Sequence, residues 1–184
     1  WVAADLLSQA EHDKMASAVL VTDSPELAQA VSREIEDQLT KLEREEIARA
    51  SIEANGKIIV ARSLTEAAAV ANRIAPEHLE LSVDDPFDYL GMIENAGSIF
   101  LGRYNPEPMG DYFAGPNHTL PTMGTARFYS PLSVDDFIKK SQFSYYTREA
   151  LERDYRKVSR FAKEEGLTAH ARAVDIRFEK EGEA

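Results

Sequence analysis

The stretch KIIVARSLTEAAAVANRIAPEHLELSV, residues 57–83, holds the fold in miniature. It opens on a short apolar run, 57–61, of the kind that makes a buried strand. Ser63-Leu64-Thr65-Glu66 then has the spacing of a capping box, and the alanine-rich run behind it is helical until Pro76, which disfavours helix at Ala75. A second apolar run, 79–83, follows at once. Strand, helix and strand in this order make a βα unit, whose strands run parallel because the helix carries the chain back to the starting edge.

The same alternation extends in both directions. Further strands are expected at 18–22 and 98–101. One helix is expected to begin at Ser24-Pro25, with serine as cap and proline in the first turn, and to run to Asn55-Gly56; another is expected from Asp85-Pro86 to Gly97. Four strands and three crossover helices predict an α/β fold, a Rossmann-like parallel sheet layer with right-handed connections. No Gly-x-Gly-x-x-Gly follows any strand, so the layer lacks the dinucleotide fingerprint. A helical pattern (Val2, Leu6, Leu7, Ala10) is already running at the first residue, without initiator Met or signal-like segment, so the chain reads as the middle of something longer.

Residues 103–132 break the alternation. Pro106, Pro108, Gly110, Gly115, Pro116, Pro121, Gly124 and Pro131 punctuate a long loop in which Tyr112, Phe113, Leu120, Met123, Phe128 and Tyr129 are expected to be apolar anchors. Loops of this length in a compact domain are commonly functional. Beyond them the chain turns helical. Ser133 caps one short helix, Thr147 caps a second that Gly166 ends, and a last amphipathic stretch carries His170, Val174 and Ile176. The expected organisation is an α/β domain over 1–132 and a small helical carboxy-terminal appendage over 133–184, too poor in large apolar residues for a core of its own.

Composition narrows the function. The 184 residues include 43% hydrophobic and 29% charged side chains, as in ordinary globular domains, and no apolar run approaches the roughly 20 residues of a membrane span. A formal net charge of −11 argues against nucleic acid, whose phosphates call for clustered Lys and Arg. The absence of cysteine fits a reducing, cytoplasmic setting.

All four histidines stand in polar settings beside carboxylates or amides: Gln9-Ala10-Glu11-His12, Glu77-His78, Asn117-His118 and Thr168-Ala169-His170. Gln9 and His12, three apart, share a helix face and offer an amide oxygen and an imidazole nitrogen to one ion; a polar surface pair has the same spacing. Asp111, flanked by Gly110, suits either a ligand or a turn. His170 by itself reads as a surface histidine. Glu77-His78 stands where a helix gives way to a strand, and a histidine with an adjoining carboxylate suits acid-base work. Neighbours on a strand point to opposite faces, so the pair cooperates only if the backbone there is irregular. A metal held by Gln, His, Asp and His would have nitrogen and oxygen ligands, which suit Zn²⁺ and do not exclude Mn²⁺ or Co²⁺. There is no His-Glu-x-x-His, which speaks against a metal-dependent hydrolase of that type.

Four ordered blocks resemble the carboxy-terminal part of the histidinol dehydrogenase family: Asp5-Leu6-Leu7-Ser8-Gln9-Ala10-Glu11-His12, Ala75-Pro76-Glu77-His78-Leu79, Gly110-Asp111-Tyr112 through Thr122, and Glu165-Gly166-Leu167-Thr168-Ala169-His170. The resemblance implies NAD-dependent oxidation of L-histidinol to L-histidine by way of an aldehyde, with one zinc per site, at the end of histidine biosynthesis. It implies Gln9, His12 and Asp111 as zinc ligands from one subunit, with His170 from the other subunit of a domain-swapped homodimer. Glu165 is then a substrate contact across the interface, and Gln9, His12, His78, Asp111 and His170 also border the substrate. His78 is implied as the base for the alcohol proton and Glu77 as the group that activates water; Asn117 and His118 would lie close by. The cofactor-binding residues are expected upstream of Trp1, which would leave this chain alone inactive. A related dehydrogenase of another alcohol, such as a sulfonate-bearing polyol, and a non-catalytic zinc-binding dimerisation module are the competing readings.

Overall fold

A computed structural model describes residues 1–179, in two compact units, 1–138 and the chain from Lys139 onward. In the first, the periodicity seen at the amino terminus is a helix, α1 (Val2–Ala10), which buries Ala3, Leu7 and Ala10 on one face. Strand β1 (Val19–Thr22) leads into α2 (Pro25–Leu39), whose cap is Ser24: its hydroxyl accepts the Leu27 N–H at 3.1 Å.

The long helix expected over 25–55 is two helices, α2 and α3 (Glu45–Asn55), separated by a turn at 40–44. An unbroken helix of that length would extend roughly 46 Å. Folded back, it puts Val31, Ile35 and Leu39 of α2 and Ala48 of α3 into one apolar cluster with Ala3, Leu7 and Ala10 of α1.

Strand β2 (Lys57–Val60) pairs in parallel with β1, Val19 opposite Lys57 and Thr22 opposite Val60. Helix α4 (Leu64–Ile74) follows with Ser63 as its cap, accepting the Glu66 N–H at 3.2 Å. The reciprocal bond differs from a standard capping box, because Glu66 returns to the N–H and guanidinium of Arg62. Ala75 ends α4 in the left-handed region at φ 54°.

Strand β3 (His78–Leu81) pairs in parallel with β4 (Ser98–Leu101), His78 opposite Ser98 and Glu80 opposite Phe100. Strand β3 starts one residue earlier than the sequence suggested, so His78 is its first residue. The sheet layer consists of two parallel pairs, β1-β2 and β3-β4, instead of one four-stranded ladder. Each strand spends one edge on its partner over all four residues, and no ladder joins β1 to β3 among the described residues.

The helix expected over 85–97 is a single turn, α5 (Phe87–Leu90). Asn72 of α4 accounts for its brevity: its side-chain amide donates to Met92 O at 2.7 Å and its oxygen accepts the N–H groups of Glu94 and Asn95. Backbone groups that a helix would use are committed to that side chain.

The loop over 103–132 contains a helix that its glycines and prolines concealed, α6 (Glu107–Tyr112), and a 3₁₀ turn at Thr125–Arg127. The expected aromatic anchors do not hold it. Tyr112, Phe113, Met123, Phe128 and Tyr129 are exposed, while Pro121 and Ala126 are buried and Leu120 half-buried. Gly110 is the close approach: a Cβ there would overlap the ring of the buried Phe100 on β4.

In the second unit α7 (Arg148–Glu164) is capped by Thr147, whose hydroxyl accepts the Ala150 N–H at 3.2 Å. Gly166, at φ 76°, turns the chain into α8 (Thr168–Asp175). The two helices bury Ser159, Ala162 and Ala171, Ser159 donates to Asp175 at 2.8 Å, and Tyr155 stacks on Phe178. Val158, Phe161, Leu167 and Ile176 remain exposed. The 3₁₀ turn capped by Ser133, Val134–Phe137, belongs to the first unit. No described helix is long and apolar enough to cross a membrane.

Candidate metal and acid-base site

Three elements converge on His78. Helix α1 brings Gln9, whose amide oxygen lies 3.2 Å from His78 Nδ1. Helix α6 brings Glu107 and Asp111, one turn apart, each with a carboxylate oxygen 3.9 Å from His78 Nε2. The loop after α6 brings His118, whose Nδ1 is 2.6 Å from Asp111 Oδ2. Asn117 shapes that loop: its oxygen accepts the Thr119 N–H at 2.6 Å and its amide donates to Leu132 O at 3.0 Å.

The acceptor at Nδ1 fixes the tautomer. With Gln9 Oε1 accepting, the proton belongs on Nδ1 and the lone pair on Nε2. Nε2 is buried and has no hydrogen-bond partner among the described residues. Burial holds the imidazole below its ordinary pKa, against the charges of Glu77 and Asp111, which act to raise it; His118 and His12 lower it further. A neutral, buried imidazole with an unclaimed lone pair is a base or a ligand in waiting.

Glu77 precedes β3, just after the left-handed Ala75 and Pro76, so the strand alternation that would set it opposite His78 does not govern it. Its carboxylate acts electrostatically on both His78 and Glu107. His12 lies beyond the end of α1, in an exposed turn; its carbonyl is held by Arg44 at 3.2 Å. Glu165, the cap of α7, and His170, on α8, belong to the second unit, and both are exposed.

Sequence reasoning passed over Glu107, Glu80 and Asp5. Burial, reinforced by the hydrogen bond and charge of Asp111, pushes the Glu107 carboxyl above the usual carboxylate range. Glu80 is raised as well, by burial first, against the lowering effect of the Glu107 N–H that it accepts. The four-residue spacing of Glu107 and Asp111 was available as a helical signal, but the Gly and Pro around it pointed to irregular chain.

One ligand atom each from His78, Asp111 and His118 lies within 4.8 Å of the others, close enough to surround an ion. The donors of the site are nitrogen and oxygen only, and the orphaned Nε2 gives a cation or a substrate proton somewhere to go. His78, Asp111 and His118 thus offer an ion nitrogen and oxygen donors that suit zinc; of the expected ligands, Asp111 is in this group, Gln9 stands beside His78, and His12 is not in it.

The family model for histidinol dehydrogenase matches residues 1–178. The histidinol dehydrogenase of Bacillus cereus (strain ATCC 14579) is 59% identical over 181 residues, which cover 98% of this chain and 42% of that protein. The one from Geobacter metallireducens is 58% identical over 183 residues, covering 100% and 42%. The crystal structure of histidinol dehydrogenase from Elizabethkingia anophelis is similar at a TM-score of 0.80 and 41% identity, over 96% of this chain and 40% of that one. The chain thus spans 42% of the length of these curated relatives.

Proposed function

The chain belongs to the histidinol dehydrogenase family, and from that premise we propose that it carries the zinc and acid-base side of an enzyme that oxidises L-histidinol to L-histidine. The observation that carries the reading is His78: its Nδ1 is tied to Gln9, and its Nε2 is buried, unpartnered and flanked by carboxylates.

Gln9, His12 and Asp111 would hold the zinc, with His170 supplied by a second copy of the chain. The zinc would serve to bind and orient the imidazole and amino groups of histidinol. His78 Nε2 would take the hydroxyl proton of histidinol, and NAD⁺, held by sequence outside this chain, would supply the hydride acceptor. Glu77 would take a proton from the water that adds to the aldehyde, and the second oxidation would draw on the same kind of hydride acceptor. Asp111 beside Nε2 would stabilise the imidazolium formed in the first step. Glu165 would contact substrate across the dimer. Exposed apolar residues on the second unit, Val158, Phe161 and Leu167, support a swapped, paired arrangement.

The relatives are more than twice as long, which supports a cofactor side formed by sequence outside this chain. The test fuses this chain to the preceding part of the Bacillus cereus relative and follows NADH formation from histidinol. The fusion is expected to turn over and the chain alone to be inactive. Turnover by the chain alone would remove the divided site, and a folded, zinc-loaded fusion without turnover would remove the substrate assignment.

A further inference from the structure

Beneath Gln9, His78 and Asp111 lies a second set of side chains from the same three elements. Asp5 stands one turn before Gln9 on α1, Glu107 one turn before Asp111 on α6, and Glu80 two residues after His78 on β3. Residues four apart on a helix, or two apart on a strand, share a face, so whatever fixes the lower set also fixes the upper one.

Glu80 is the hub of the lower set. Its carboxylate accepts the backbone N–H of Glu107 at 2.8 Å, and Asp5 on α1 acts on it electrostatically. The Glu107 N–H is the first of α6 and has no acceptor within that helix. Pro106, at the cap position, makes no side-chain cap bond, so Glu80 supplies from a neighbouring strand what the local sequence lacks.

We infer that Glu80 is a positioning residue of this site: from β3 it clamps α6 through the Glu107 N–H, one turn below Asp111. The inference rests on the reading of Gln9 and Asp111 as zinc ligands and of His78 as the base. Glu80 meets no reacting atom. Glutamine at this position keeps the bond, its oxygen accepting from the Glu107 N–H, whereas leucine keeps the bulk and loses the bond.

Two measurements on the 184-residue chain compare E80Q and E80L. Amide hydrogen exchange without metal is expected to rise in E80L at residues 107–112, with α2 unchanged, and to stay near the wild-type rate in E80Q. Titration with Co²⁺ is expected to give about tenfold weaker binding in E80L and near-normal binding in E80Q. Unchanged exchange in E80L at 107–112, an equal rise in every element, or failure of E80Q to rescue would each overturn the inference. A wild-type chain that binds no Co²⁺ would count against the zinc reading alone, since exchange in α6 still decides the clamp.

Discussion

His78 Nδ1 and Gln9 Oε1, 69 residues apart in the chain, lie 3.2 Å apart in the fold. That contact selects the imidazole tautomer and leaves Nε2 facing the side chains of Glu107 and Asp111. Replacing Gln9 by leucine removes the acceptor while keeping the bulk. The ¹⁵N imidazole spectrum of His78 in the metal-free Q9L chain is expected to show a mixture of tautomers. The corresponding variant of a complete fusion enzyme is expected to lose roughly tenfold or more of its activity. A single, unchanged tautomer in Q9L would show that something else orients the ring.

Gly110 lets α6 lie against Phe100, because a Cβ there would overlap that ring. G110A is therefore expected to cost roughly 1–3 kcal/mol in urea unfolding, as overpacking does, and to weaken metal binding through displacement of Asp111. F100L in the same chain makes room for the new methyl and is expected to restore part of both. A G110A chain as stable as wild type, with unchanged affinity, would contradict this packing.

Leu39, fully buried in the cluster of α1, α2 and α3, provides the contrast. L39A is expected to destabilise the chain by roughly 2–5 kcal/mol, the range for buried leucine truncation. Under conditions where L39A stays folded, metal affinity is expected to match wild type. A large affinity loss would mean that this core and the site are coupled more closely than their separate residues suggest.

The pH dependence of stability reports on Glu80. Its folded pKa is raised from 4.5 to about 7, so between those values the folded chain holds a proton that the unfolded chain releases. The contribution is fully present below the ordinary value and is lost as pH rises through the raised one. Glutamine cannot ionise. The stability of wild type relative to E80Q, measured with chelator present, is therefore expected to fall between about pH 4.5 and about pH 7. A difference that grows over that window would reverse the assignment.

Much of this was legible in the chain. Local rules placed β1 to β4, the caps Ser24, Ser63 and Thr147, and the stop at Gly166, because each depends on a few adjacent residues. What escaped depended on distant partners. The break near Thr40 follows from Leu39 and Ala48 meeting one core, and α5 is short because Asn72, twenty residues earlier, captures the backbone around Met92. Helix α6 was hidden by Pro106, Pro108 and Gly110, although proline suits a first turn and glycine was required against Phe100. The four histidines pointed to a site, and Gln9, His78 and Asp111 do meet. Glu80 and Asp5 did not stand out, since in an acidic chain a carboxylate is unremarkable until its burial is known, and the spacing of Glu107 from Asp111 was masked by the prolines and glycine around it.

The central claim divides the chemistry between His78 and Glu77, and single-turnover formation of NADH from histidinol tests it most directly. In a complete fusion enzyme in excess over substrate, wild type is expected to give two NADH per histidinol, E77Q a rapid first and a retarded second, and H78N a retarded first. If H78N forms the first NADH at the wild-type rate, or E77Q slows the first step and spares the second, the assignment of these two residues is wrong.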